Sequence, residues 1–424
     1  MRKLLLALLF TTTAAHAQTV PVLHFSDYHS HALPFYSEGR ESQGGIARAV
    51  AYLKREKAKG ALVFSGGDMI NKGSPAWSDR YTCAEWPWLN NLVDAMAFGN
   101  HEADYGLEAY ERCADRLTYP VLSANTTGFR RARIIETRGV KLGVFAVAGD
   151  DFPQLVKQPG LVFSDPVAAA RETVRELRAA GVDAIVMIGH QHTEQDYELA
   201  QAVEGIDVIF GSHSHHKQTL TQIPGTRTWF IAPFQYLTYI SRVELTFAEG
   251  RLTAVTGGLV PVDATLGEDE EVARKVARMQ SDLETDPRYR ELFVPLFTLP
   301  SALTVEALGA RTVKLMRESA QADVALSTTS SFRQPLPAGV ITMDMLMAAL
   351  PYDNALVVCT MGGAELRRVL AQGDAYVDGP ASIRDDRTYR VATTDYAAHV
   401  AYKFTCKPED TGKKVRGVWT GKER

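Results

Sequence analysis

Five short pieces of this 424-residue chain carry side chains that could do chemistry together: Asp27-x-His29, Asp68, Asn100-His101, His190 and His213-x-His215. Carboxylate, amide oxygen and imidazole are hard or borderline donors, the kind that Zn²⁺ and Mn²⁺ accept. A carboxylate such as Asp68 can bridge two cations, and two-metal hydrolytic sites hold their ions about 3.5–4 Å apart. A lone His or Asp is more often a hydrogen-bonded structural residue than a ligand. The weight lies in the ordered set, which takes in five of the eleven histidines.

Each piece follows an apolar run. Residues 20–25 lead into Ser26-Asp27-Tyr28-His29, and 61–64 into Ser65-Gly66-Gly67-Asp68. Residues 95–98 lead into Gly99-Asn100-His101-Glu102, 184–188 into Gly189-His190, and 208–210 into Gly211-Ser212-His213-Ser214-His215. In open α/β sheets ligands bind beyond the carboxyl ends of strands, so five such ends would deliver these side chains to one rim. The glycines allow tight turns and keep Cβ atoms away from a bound ion. Further apolar runs at 121–124, 142–148 and 229–232 read as strands, and 44–59 has helical spacing. Asp165-Pro166 is an N-cap and first-turn pair opening a helix that ends near Gly181. The alternation predicts a layered α/β domain.

In this order the pieces resemble a known family. Asp27-x-His29, Gly66-Gly67-Asp68, Gly99-Asn100-His101-Glu102, Gly189-His190 and Gly211-x-His213-x-His215 are similar to the ordered motifs of calcineurin-like metallophosphoesterases. Gly44-Gly45-Ile46-Ala47-Arg48 and Asp104 resemble its 5′-nucleotidase branch, which also includes UDP-sugar hydrolases and cyclic-nucleotide phosphodiesterases. The resemblance runs over nearly all of the chain after its first residues and is strongest before residue 240. It implies an N-terminal four-layer α/β/β/α metallophosphoesterase domain and a smaller C-terminal α/β domain. It also implies two divalent metal ions, Zn²⁺ or Mn²⁺. One would take Asp27, His29, Asp68 and His215, and the other Asp68, Asn100, His190 and His213. His101 would be the catalytic histidine that is not a ligand, with Asp104 orienting and charging it. The chemistry agrees. Water between two cations is acidified and becomes the nucleophile. A cationic His101 would stabilise charge building on oxygen or protonate the leaving oxygen. A nearby carboxylate favours the charged imidazole. His31, His192 and His216 stand beside the motifs and are expected to be solvated or to support a ligand; His192 lies where the family more often has glycine.

The resemblance gives the C-terminal domain the nucleoside. Residues 323–326 and then 327–333 resemble a segment that ends an apolar strand with Asn, glycines and Arg; Arg333 is kept, but Thr328, Thr329, Ser330 and Ser331 replace the turn. Leu350-Pro351-Tyr352-Asp353-Asn354 resembles a Pro-Phe-Gly-Asn stretch, so Tyr352 would stack on a base and Asn354 would hydrogen-bond it. Tyr396 would be the second stacking ring, since every base has a π-face. Core packing is an equal alternative for either tyrosine. After Tyr396 the family has a Gly-Gly-Asp-Gly turn that grips ribose; here Ala397-Ala398-His399-Val400-Ala401 stands instead. Arg311 and Arg333 are candidate partners for phosphate or carboxylate.

The start of the chain reads as a leader: Arg2 and Lys3, an apolar run at 4–10, and Ala15-His16-Ala17 as a cleavage pattern. The run is too short for a membrane span. The organisation expected is a signal peptide at 1–17, the metal-bearing domain at 18–262, a linker with a helix at 263–300, and a shortened substrate domain at 301–424. The linker helix shows Val272, Val276, Met279 and Leu283 on one stripe. Net charge is −4, which offers no basic surface for a nucleic-acid duplex. Four cysteines in an exported chain favour disulfides. Sequence leaves three pairings open; the local pairs, Cys83–Cys113 and Cys359–Cys406, are expected because each stays within one domain. Trp77, Trp86 and Trp88 crowd around Cys83 as a lid or, by preference, a pinned structural loop. The expected function is a periplasmic or secreted two-metal phosphohydrolase acting on a small phosphoester, above all 5′-nucleotides. The alternatives are a thiosulfohydrolase or cyclic-nucleotide phosphodiesterase on the same scaffold, because fold does not fix substrate, and a non-catalytic binding protein, which the intact His101 and Asp104 oppose.

Overall fold

The computed structural model describes residues 17–73 and 76–421. The leader read over 1–17 lies outside the described residues except for Ala17. By its contacts the chain forms two compact units. The first holds the described residues up to Tyr28, then Tyr52–Asp68 and Glu85–Pro261; the second holds His29–Ala51, Met69–Ala84 and the described residues from Val262 onward.

The first unit contains two six-stranded sheets. One runs in the order Arg251–Pro261, Tyr239–Ala248, Gln18–Phe25, Leu62–Ser65, Ala95–Ala97 and Val121–Leu122. Its last four strands are parallel, and its first two pair antiparallel. The other runs Lys217–Gln222, Trp229–Pro233, Val208–Phe210, Ala184–Ile188, Val140–Phe145 and Ala132–Thr137, with the middle four parallel. Sequence pattern explains the arrangement. Ala184–Ile188 is apolar throughout and buried throughout, as a central parallel strand must be. Tyr239–Ala248 alternates buried and half-buried residues, as an antiparallel strand with one wet face does. Glu249 and Gly250, with φ of 51° and 70°, make the two-residue turn that joins it to Arg251–Pro261.

Val22, Phe64 and Ala97 of the first sheet meet Val144, Val186 and Phe210 of the second in one core. Each large side chain buried there contributes about 1.5–3 kcal/mol. The other face of the second sheet packs Phe145, Ile185 and Met187 against Val174 and Leu177 of the helix Pro166–Ala179, and against Leu199 of the helix Thr193–Ala202. Asp165 caps the first of these helices, accepting from the Ala168 amide at 2.6 Å. The five ligand-bearing strands therefore do not share one sheet. Two packed sheets send their parallel carboxyl ends to the same place.

The second unit contains a five-stranded sheet in the order Ala375–Asp378, Val324–Thr328, Thr388–Thr394, Ala355–Gly362 and Glu409–Lys414. Val313 and Met316 of the helix Val305–Ala320 pack with Leu356 and Ala392. Leu366 and Val369 of the helix Gly363–Leu370 pack with Leu326 and Val391. The linker helix is Glu270–Thr285; Val272, Val276 and Leu283 are buried and Asp269 caps it. Cys359 and Cys406 are bonded. Cys83 and Cys113 are disulfide-bonded too, and no cysteine is free. The tryptophan segment is packed structure: Trp77 and Trp86 are buried, and Trp86 lies edge-on to Tyr110. Among the described residues no helix is long and apolar enough to cross a membrane.

Candidate metal centre

The carboxyl ends of the parallel strands are laced together before any side chain acts. The Asp27 amide donates to the Gly67 carbonyl at 3.0 Å, and the Gly66 amide to the Phe25 carbonyl at 2.8 Å. Asp27 is fully buried. Its carboxylate accepts the His213 backbone amide at 3.1 and 3.2 Å, and His215 Nε2 lies 3.4 Å from its Oδ1. Asp68 Oδ1 accepts the His101 amide at 2.9 Å, and His190 Nε2 lies 3.1 Å from its Oδ2. Asp68, His190 and His213 bring ligand atoms within 4.8 Å of one another.

Hydrogen bonds choose which imidazole nitrogen is presented. A carbonyl only accepts, so a ring nitrogen bonded to one must carry the proton. His190 Nδ1 donates to the Gly66 carbonyl at 2.6 Å, which leaves Nε2 as the donor atom toward Asp68. His29, in the second unit, is 2% exposed and gives Nδ1 to the Ile70 carbonyl at 3.2 Å, so its unprotonated nitrogen is Nε2 in the neutral ring. His213 places Nε2 3.0 Å from Asp151 Oδ2. His101 gives Nδ1 to Asp104 Oδ2 at 2.8 Å. Asn100 Oδ1 is buried without a hydrogen-bond partner.

The backbone at these places is unusual. Asp27, His29, Asp68, His213 and His215 have φ of 52°, 48°, 53°, 61° and 52°. Left-handed backbone costs an L-residue about 1–3 kcal/mol where it is strained, and it clusters at sites whose function needs it. Gly99 is required by space: a Cβ there would lie 2.3 Å from Asp68 Oδ1 and 2.5 Å from Glu102 Oε2. Glu102 fixes this corner. It is 1% exposed, and its Oε2 accepts the Gly99 amide at 2.6 Å and the Asp68 amide at 3.0 Å.

Charge follows the same geometry. Burial alone would raise the Asp27 carboxyl, but the hydrogen bond and charge of His215 outweigh it and hold it at about 2. Burial would lower His190, but the Asp68 carboxylate outweighs it and lifts the imidazole to about 10. Burial pushes His24 down to about 3, so this imidazole is neutral. Burial also lowers His213. The residues fit divalent cations: oxygen and imidazole donors, two buried carboxylates, and an unpartnered amide oxygen.

The remaining residues singled out from sequence are placed as follows. His31 is buried with Nδ1 3.0 Å from the His29 carbonyl, His216 is exposed, and His192 stands 3.2 Å from Asp151. In the second unit Arg333 donates to the Tyr352 hydroxyl at 2.9 Å and lies over that ring. Tyr352 and Tyr396 are 46% and 45% exposed. Asn354 is half-buried, and its carbonyl accepts the Val415 amide. Arg311 lies over Trp419. Ala397–Ala401 forms a single helical turn with Ala397 and Ala398 buried. Two residues were missed. Glu102 sits inside a recognised motif, but its backbone-anchoring role has no signature in residue type. Asp151 follows a glycine after an apolar run, the same signal that marks the other pieces.

Comparison with known proteins bears on this arrangement. Residues 20–217 match the family model described as calcineurin-like phosphoesterase, and residues 301–382 match 5′-nucleotidase, C-terminal domain. Protein UshA of Yersinia enterocolitica is 25% identical over 94% of this chain and 84% of its own length. A 5′-nucleotidase precursor from Thermus thermophilus superposes with a TM-score of 0.78 at 22% identity, covering 95% of this chain and 96% of that one. The sulfate thiohydrolase SoxB of Thermus thermophilus gives 0.75 at 20% identity, covering 95% and 93%. The two structural likenesses establish a shared fold.

Proposed function

We propose, for a chain that belongs to the calcineurin-like phosphoesterases and carries a 5′-nucleotidase C-terminal domain, the hydrolysis of 5′-nucleotides by an exported enzyme with two metal ions. It is a metal-dependent phosphoester hydrolase. Asp27, His29, Asp68 and His215 would hold one ion, and Asp68, Asn100, His190 and His213 the other. When bound, such a pair supplies Lewis acidity to a phosphoryl oxygen and acidifies water. The chain's own residues do the rest. His101, tied by its amide to Asp68 and by Nδ1 to Asp104, presents Nε2 to the leaving oxygen, where it stabilises charge or gives a proton. Tyr352 and Tyr396 stack on the base, Asn354 hydrogen-bonds it, and Arg333 takes an anionic or polar group beside it.

The observation that carries the reading is the convergence of Asp68, His190 and His213 with the His101–Asp104 pair bonded to the same aspartate. Export is supported by the leader-like residues 2–17 and by the absence of any free thiol, which suits an oxidising compartment. The test is elemental analysis of protein purified without chelator, followed by a substrate panel. Two transition metals per chain and release of phosphate from AMP are expected. Less than one metal, with no uptake of added Zn²⁺ or Mn²⁺, would sink the two-metal reading. One observation favours a second reading. The Ala397–Ala401 turn stands where the family resemblance implies a ribose-gripping turn and offers no carboxylate, so turnover of a thiosulfate ester or a cyclic nucleotide but of no 5′-nucleotide would move the assignment to that chemistry.

A further inference from the structure

The residue that orients His213 is not among the ligands. His213 is held by its backbone, whose amide donates to the buried Asp27 carboxylate at 3.1 and 3.2 Å. That bond leaves the ring free to choose between its two nitrogens. Asp151 Oδ2 lies 3.0 Å from His213 Nε2. An ionised carboxylate only accepts, so Nε2 carries the proton and Nδ1 keeps its lone pair. Asp151 is itself held. His192 Nε2 lies 3.2 Å from the same Oδ2. His192 Nδ1 lies 3.4 Å from Ser214 Oγ, which accepts the Thr193 amide at 2.9 Å. The Gly149 amide donates to the His190 carbonyl at 2.9 Å, which stitches the Asp151 loop to the strand end that bears another proposed ligand.

We propose that Asp151 is the positioning residue of His213, fixing the tautomer that offers Nδ1 to the second metal, and that His192 is the latch on Asp151. The proposal rests on the two-metal reading and deepens it. Metal-bound histidines commonly pass their other ring N–H to a carboxylate, and removing that partner costs about 10–100-fold in metal affinity. The same three side chains bring ligand atoms within 4.8 Å of one another, which raises the question of a third ion. Such an ion would need His213 Nε2. His213 would then serve two metals only as an imidazolate, having lost both ring protons, whereas the carboxylate asks only for the proton already there.

The experiment uses the full chain as Asp151→Ala, Asp151→Asn and His192→Asn. Asn at position 192 keeps a helix-capping side chain and removes the imidazole contact. Zn²⁺ affinity is read by competition with a chromogenic chelator, and the tautomer of His213 by ¹⁵N NMR on histidine-labelled, chelated protein. Wild type is expected to bind two ions and to show His213 protonated at Nε2. Asp151→Ala is expected to weaken one of the two ions by about 10–100-fold and leave the other unchanged. Asp151→Asn, which keeps an oxygen acceptor, should lose less, and His192→Asn least. The melting temperature of the chelated variants should stay close to wild type. Unchanged affinity for both ions in Asp151→Ala, an Nδ1–H tautomer in wild type, or a third ion lost from His192→Asn each overturns the proposal. Wild type that binds fewer than two ions is a different failure, that of the two-metal reading.

Discussion

His101 and His190 are both imidazoles beside Asp68, yet their surroundings give them opposite tasks. His101 is about a quarter exposed and bonded through Nδ1 to Asp104, which places it to act on substrate in the proposed reaction. His101→Asn is expected to keep both metals and to lower kcat by about 10²–10⁴, the usual range for such groups. Loss of metal in that variant, read by elemental analysis, would mean that His101 is a ligand. His190 is fully buried against Asp68 and is raised to about 10 from an ordinary 6.5. A group raised on folding contributes stability that is fully present below its unfolded pKa and is lost as pH climbs through the folded one. Chelated protein should therefore lose stability between about pH 6.5 and 10, as read by calorimetry. A cation that binds Nε2 must displace that proton, so metal binding near pH 7.5 should release protons and weaken as pH falls. Titration in buffers of different ionisation enthalpy checks this; an apparent heat independent of buffer would contradict it.

Strand ends and tight turns are the elements that convert these residues into a centre. Gly99 shows how little room there is. Because an added Cβ would fall 2.3 Å from Asp68 Oδ1 and 2.5 Å from the Asp68 amide, the neighbours must move. Gly99→Ala is expected to cost about 1–3 kcal/mol, the usual range for overpacking, and to lower metal content with it. Full metal content with unchanged melting would show that the corner yields. This scale was also the most legible in sequence. Asp27, Asp68, Asn100, His190 and His213 each follow an apolar run within a few residues, and all five runs are strands. The division of those strands between two sheets was not legible from the runs themselves, because a carboxyl end looks the same in either sheet. Asp151 carries the same signal, since the apolar run at 142–148 leads through Gly149 and Asp150 into it, although the strand itself, Val140–Phe145, ends earlier. Glu102 escaped notice because bonding two backbone amides leaves no trace in spacing.

At the scale of the molecule the two units carry different halves of the proposed chemistry. The first holds most of the proposed metal ligands and the His101–Asp104 pair; the second holds His29, Arg333 and the exposed rings of Tyr352 and Tyr396. A small aryl phosphate needs the metals and His101 but has no base to stack. A nucleotide needs both sets. Tyr352→Ala should therefore raise KM for AMP by roughly ten-fold or more, given about 1–3 kcal/mol for stacking one base, and affect the aryl ester much less. Tyr352 also holds Arg333, through its hydroxyl at 2.9 Å and through the ring face. Tyr352→Phe removes only the hydroxyl contact, so it separates the two roles: near-normal KM in that variant assigns the loss to the ring, and a loss equal to that of Tyr352→Ala assigns it to the guanidinium. AMP and deoxy-AMP should be turned over with similar kcat/KM, because no carboxylate follows Tyr396 to reward the 2′-hydroxyl and a buried alanine turn stands there instead. A preference for AMP of a hundred-fold would mean that another polar group grips the sugar. Equal loss on AMP and on the aryl phosphate in Tyr352→Ala would make Tyr352 a structural residue of its own unit.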